Sequence, residues 1–345
     1  MKTKLAFLVL VAAAVALSIR AKTLTVVSAG DAFMVQKFPA GFSVDPALKA
    51  WIACGDARLV NFECVVNDGS CPPAAWSGGT WAVMRPDVLP DLLAFGFNAC
   101  GTANNHSTDY SAEGLYMTIA ALDRAGLAHA GTGRDLQAAA APAFVDTPNG
   151  RVAVISVNTE FHPDALAGVT TRLSPGRPGL NGLRHTEKFL VSAEQLEQLK
   201  KIADDTLING SRRLSQKTGF TLPDAPGTFV LGKTAFAVSE RRGRTSSCNK
   251  NDLKRLVADI AAAKAKADAV VVLAHSHSIR GARFDEPDYY FEEFCRAAVD
   301  AGASAVFGGG THQLKGIEFR KGCPIFYSLG DFVFQNNVTP SVPPD

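Results

Sequence analysis

Asp31, Glu63, Asn105, His106, His275, His277 and His312 are carboxylates, an amide and imidazoles, and each stands just past an apolar run. A mixed oxygen and nitrogen set of this kind suits borderline divalent metals, Mn, Fe or Zn, better than Ca. One bridging carboxylate would make it the ligand set of a two-metal hydrolase. The densest stretch is Gly101-Thr-Ala-Asn104-Asn105-His106-Ser-Thr-Asp-Tyr110, which offers an amide oxygen and an imidazole to one point at the mouth of a strand. Each residue alone has a plainer reading. Asp31 follows Gly30 as a turn residue would, Glu63 could pair with a surface cation, and His312 could sit exposed in its glycine-rich loop. The agreement of five strand ends outweighs these. His275 and His277 are two apart, so in a continuing strand they face opposite sides, and only one enters the site unless the chain bends. His129, His162 and His185 have no role on pattern.

Short apolar runs must aim these residues. Thr23–Ser28 reads as a buried strand with Asp31 in the loop behind it, and Arg58–Phe62 as a second strand that delivers Glu63. Pro86–Phe95 reads as a short helix stopped by Gly96, and Leu115, Ile119 and Leu122 mark one face of a helix closed by Gly126. Arg151–Val157 is another strand. Later, Leu253, Val257 and Ile260 mark a helix leading to the strand Ala269–Ala274 and then His275. A helix over about Tyr290–Ala301 leads to the strand Ala303–Phe307, and Pro324–Leu329 is a last strand before Gly330-Asp331-Phe332. Strands alternating with helices specify an α/β fold, whose strand ends line one crevice. The rhythm breaks over about 161–250, where Ser192 and Gln195 form a capping box. That segment is expected to be an insertion packed over the core.

Hydrophobic residues make up 47% of the 345, enough for a sizeable core, and a formal net charge of +2 argues against nucleic acid and against a polybasic membrane surface. Lys2 and Lys4 precede an apolar run from Leu5 to Leu17, which is short for a span but fits a cleaved signal peptide over residues 1–21. An uncleaved anchor is the minor alternative. Residues 22–345 then form one domain, secreted or held at the cell envelope. Of seven cysteines, Cys54, Cys64 and Cys71 are the natural local candidates for pairing in an exported chain.

With these residues in view, the sequence resembles the CapA-type capsule or poly-γ-glutamate synthesis proteins, relatives of calcineurin-like metallophosphoesterases. The resemblance runs from about Thr23 to Gln335. It is carried by Gly30-Asp31, Asn61-Phe-Glu63, Ala103–Tyr110, Ala130-Gly-Thr-Gly133, Pro175–Asn181, His275-Ser-His277 and Phe326–Phe332. It implies a four-layer α-β-β-α sandwich with a mixed cap, and a dinuclear centre at Asp31, Glu63, Asn105, His106, His275 and His312. Within that centre, Asp31, Glu63, Asn105, His275 and His312 would be ligands. His106 would be the catalytic residue, as general acid or as orienter of an oxyanion. Two departures stand out. The usual Gly-His-x-Pro-His run is Gly308-Gly309-Gly-Thr-His312 here, lacking one imidazole, and the usual Gly-Asn-Phe is Gly330-Asp331-Phe332. The lost imidazole leaves one or two metals open as alternatives.

His277, Asn104 and Arg177 are the expected substrate contacts, with Arg172 and Arg184 as further candidates to clamp an anion. The expected partners are a phosphorylated substrate or an anionic polymer, and a membrane-bound polymer synthase. The competing expectation is an impaired accessory protein that binds such a polymer or a synthesis partner without turnover.

Overall fold

A computed structural model describes residues 23–339. The expected signal peptide lies outside the described residues. Among them, no helix is long and apolar enough to cross a membrane.

The runs of β-branched residues form two main sheets. In the first, five parallel strands lie in the order Asp331–Phe334, Val26–Phe33, Ala57–Phe62, Ala99–Gly101 and Ala128–Ala130. In the second, six strands lie in the order Ile317–Arg320, Cys323–Phe326, Ala305–Gly310, Ala269–Ser276, Gly150–Asn158 and Ala143–Thr147. Its inner pairs are parallel, and its two edge strands run antiparallel to their neighbours.

Alternation along the strands divides the core. Leu59, Val152, Val154, Val271 and Leu273 share one buried cluster with residues of both sheets. The intervening Val270, Val272 and Ala274 face the helices Lys250–Lys264 and Tyr289–Asp300 instead. On the first sheet, Val60, Phe62 and Cys100 pack with Ile52, Leu92 and Leu122 of the helices on that side. A strand buried on both faces reads as a continuous apolar run, which is why Val270-Val-Val-Leu-Ala274 lacks polar alternation. The observed class is therefore mixed α/β.

Between the sheets' strands, residues 185–248 contribute a four-stranded sheet in the order Thr228–Leu231, Thr234–Val238, His185–Val191 and Gly243–Cys248. The helix Ala193–Thr206 opens on the expected capping box, with Ser192 and Gln195 each bonded to the other's backbone. Leu196 and Ala203 on that helix are buried, whereas Ile202 is 50% exposed, so the helix packs along a narrow stripe that excludes Ile202.

Two expectations are corrected. The strand predicted to stop at Ser28 continues to Phe33, because Ala32 and Phe33 are drawn into the core; Asp31 therefore lies within a strand. The pairing shifts on both sides of it, a bulge that re-aims the side chain. Gly30 is required there, since a Cβ would lie 1.8 Å from the Gly330 carbonyl oxygen. The expected cysteine pairing is not made, and all seven thiols are free. Cys54 is exposed at the end of the Pro46–Ala53 helix, while Cys64 and Cys71 are buried.

Candidate metal centre and adjoining cleft

Parallel strands deliver their ends to one side, and there the polar residues meet. Asp31 is fully buried; its Oδ1 accepts from Asn61 Nδ2 at 2.7 Å and its Oδ2 from the Gly310 amide at 2.7 Å. Burial alone would raise the Asp31 carboxyl. The charge of His275 and the hydrogen bonds from His275, Asn61 and Gly310 outweigh it and hold the group below the ordinary carboxylate value.

Glu63, immediately past the Ala57–Phe62 strand, is also fully buried, and neither of its carboxylate oxygens has a hydrogen-bond partner. Burial, then the charges of Asp31, Asp331 and Asp109, push its carboxyl well above the usual range. A buried carboxylate with two orphaned oxygens beside other carboxylates suits a cation.

His275 stands between the two acids, its Nδ1 3.6 Å from Asp31 Oδ1 and its Nε2 3.4 Å from Glu63 Oε1. His277 enters the same site, its Nε2 3.1 Å from His275 Nε2. Both enter because the strand ends at Ser276, so the alternation expected of a continuing strand does not extend to His277. Burial, followed by the charges of His275 and His312, lowers the His277 imidazole to about 3, leaving it neutral and able to coordinate. His312 adopts φ 57°, and its Nδ1 lies 2.8 Å from Asp331 Oδ1. That contact, ahead of the other influences, raises its imidazole.

Two sets of possible ligands result: Glu63, His275 and His277, and Asp31, His312 and Asp331, the atoms within each lying within 4.8 Å of one another. Their donors, carboxylates and imidazoles around orphaned acid oxygens, fit a divalent transition metal. A Cβ on Gly309 would stand 2.4 Å from Asp31 Oδ1, so position 309 abuts the site even though it supplies no ligand. Asp331 was read in the sequence only as a departure from the usual pattern; here its carboxylate completes the second set.

The loop after Ala99–Gly101 divides its work. Asn104 is buried, donating to Phe62 O at 2.8 Å and Asn61 Oδ1 at 3.2 Å and accepting from the His106 amide at 3.1 Å. The expectation that Asn104 touches substrate is thus corrected: it ties the loop to the end of the neighbouring strand. Asn105 donates to Gly78 O at 2.7 Å, and its Oδ1 is buried without a partner. His106 Nδ1 lies 2.7 Å from Asp109 Oδ2, and that carboxylate also accepts from the amides of Gly78 at 3.0 Å and Ala82 at 2.8 Å. Burial raises the Asp109 carboxyl, while the His106 contact and the Ala82 and Gly78 amides favour its ionised form; with Asp109 ionised, His106 Nδ1 is the donor and Nε2 is left for another partner. Asp109 and Asn61 had no sequence signal beyond their place beside residues already singled out.

A cleft of about 670 Å³ adjoins the centre, with Asn105 and His277 in its lining. Trp76 and Arg177 line it as well. Arg184 does not reach for a ligand; it forks onto Asp252, with Nε and Nη2 each at 2.7 Å.

Comparison with known proteins follows this geometry. The sequence profile of the family described as bacterial capsule synthesis protein PGA_cap matches residues 25–336. An uncharacterised protein of Sinorhizobium fredii is 34% identical over 322 residues, 92% of this chain and 67% of its own length. A probable polyglutamine synthesis accessory protein of Mycobacterium tuberculosis is 26% identical over 72% of this chain and 48% of its own. A capsule biosynthesis protein CapA of Bacillus anthracis is 26% identical over 74% of this chain and 44% of its own. The chain thus spans about half the length of the last two.

Proposed function

This chain belongs to the family of bacterial capsule synthesis proteins, PGA_cap, and we propose that it is an exported, divalent-metal-dependent hydrolase of phosphoester or related bonds in capsule or poly-γ-glutamate biosynthesis. In this reading the two sheets and their flanking helices form the four-layer sandwich of a metallophosphoesterase, with residues of about 161–250 as its cap. Export rests on the apolar run behind Lys2 and Lys4.

The observation that carries the proposal is Glu63, fully buried with both oxygens orphaned beside two imidazoles. Metal held by the two sets would supply a Lewis acid and a water of lowered pKa. The protein's own groups do the rest. Asn61 fixes the Asp31 carboxylate from one side while the Gly310 amide fixes it from the other. Asp109 sets the His106 tautomer, so that Nε2 faces the reacting group for proton transfer or for binding a developing oxyanion. Asn105 and His277 join the centre to the cleft through which substrate enters.

A second reading, an accessory protein that binds without turnover, is favoured by one feature. Gly309, hard against Asp31, supplies no ligand to that side of the centre. Metal analysis of the purified chain combined with a chromogenic phosphodiester separates the two. About two equivalents with turnover that Asp31→Ala abolishes supports the hydrolase. Bound metal without turnover supports the accessory role, and a folded chain that takes up no metal refutes both metal sets.

A further inference from the structure

The charges that line the cleft do not match a run of negative charge. Arg177, an exposed side chain, is its single guanidinium, and the carboxylates of Glu160 and Asp164 line the same cleft. Arg177 Nε is committed to the Leu166 carbonyl at 2.9 Å, which fixes the side chain, while its two Nη groups have no partner among the described residues. A guanidinium anchored by Nε with its Nη pair free can fork one carboxylate.

Glu160 is equally well fixed. Its Oε1 accepts from Ser278 Oγ and from Tyr290 Oη, the latter at 3.2 Å, and Tyr290 is itself fully buried and also bonded to Thr159 and Ser276. Oε2 accepts no hydrogen bond among the described residues and can accept from a ligand. Asp164 is mostly in solvent, 3.5 Å from His162, and contributes little. The lining also carries apolar side chains. Trp76 stacks on His162 with ring centroids 4.4 Å apart and planes 14° apart, and Leu115 lies in the same lining.

We infer that the cleft binds a zwitterionic amino-acid or short-peptide ligand, with its carboxylate on Arg177, its ammonium on Glu160 and its uncharged body against Trp76 and Leu115. In the metal-free protein a polyanion is disfavoured, because the cleft lining offers a further carboxylate Glu160 and no second guanidinium or ammonium group. The inference takes the cleft as the substrate entrance of the hydrolase proposed above and rests on that reading for which bond reaches the centre. Binding itself does not depend on turnover.

The test is isothermal titration calorimetry on the full chain, metal-loaded and after chelation. The ligands are alanyl-leucine, its N-acetyl form, its C-terminal amide and a γ-linked glutamate oligomer. The zwitterion is expected to bind, with removal of either charge weakening it about tenfold or more, and after chelation the oligomer is expected to bind weakest. In Arg177→Gln the free peptide and its amide should bind alike, while the N-acetyl penalty persists; in Glu160→Gln the reverse should hold. Tighter binding of the oligomer than of the dipeptide after chelation overturns the inference. So does equal binding of all four ligands, or binding of none by the wild-type chain, a result that needs no variant to fold. Binding of the zwitterion by a chain without phosphodiesterase activity supports the cleft assignment while refuting the hydrolase.

Discussion

Replacing Glu63 by glutamine keeps the shape of the side chain and removes one charge, with opposite effects expected in the metal-free and metal-loaded protein. Without metal, the carboxylate is buried, its oxygens are unpartnered, and burial with the neighbouring carboxylates raises it well above 4.5. A carboxyl raised in the folded state adds stability below its unfolded pKa, and that stability is lost as pH rises toward the folded value. Metal-free wild type is therefore expected to lose stability as pH climbs from about 4.5 toward neutrality, and Glu63→Gln should flatten that fall. Asp31 is shifted the other way, and its contribution disappears only as pH drops below about 4. The two windows do not overlap.

With metal, linkage stabilises the native state by about 2.7 kcal/mol for one site at a hundredfold excess over Kd. An unfolding entropy of about 2.1 cal/mol/K per residue over roughly 320 ordered residues makes each kcal/mol worth about 1.5 °C, so loading one site should raise Tm by about 4 °C. Glu63→Gln should lose most of that rise while matching or exceeding the wild-type Tm after chelation at pH 8. The assay is thermal unfolding by calorimetry with Mn or Zn and with chelator, across pH 4.5–8. A variant less stable than wild type in chelator at pH 8, yet still stabilised by metal, would refute the reasoning.

Other substitutions probe the parts separately. His106→Ala should lower kcat by about 100-fold to 10,000-fold with metal content unchanged, measured on a chromogenic phosphodiester; loss of metal instead would make His106 a ligand. Gly309→Ala places a methyl group 2.4 Å from Asp31 Oδ1, and should weaken metal uptake with the fold intact by circular dichroism; unchanged uptake would show that Asp31 can yield without cost. Tyr290→Phe removes the hydroxyl that links Thr159, Glu160, Ser276 and Ser278, and should lower stability in urea by about 1–3 kcal/mol.

Much of the architecture was legible because both faces of its central strands are buried. Val270–Ala274 and Val152–Val157 read as strands without help from their neighbours, and the residues past them read as a site because parallel strands open on one side. Sequence reasoning failed where the backbone departs from regular geometry. The bulge around Asp31 and the end of the strand at Ser276 decide where Asp31 and His277 point, and neither leaves a mark in the pattern of side chains. Asp331 has no such signal because it starts a strand, whereas Asp31 and Glu63 are read from the sequence as lying just past one. Asn104 misled for the opposite reason. It stands next to Asn105 and His106, but neighbours in a tight loop point different ways, and its amide is spent on Phe62 and Asn61. The cleft's walls come from segments near Trp76 and His162, far apart in sequence, and no local motif announces their stacking.

The most direct test of the central claim is metal stoichiometry by elemental analysis on the purified chain, beside Asp31→Ala and Glu63→Gln. Two equivalents of a transition metal in the wild type, falling by about one in each variant, is the expected result. A correctly folded wild-type chain that remained metal-free after incubation with Mn, Fe and Zn would contradict it.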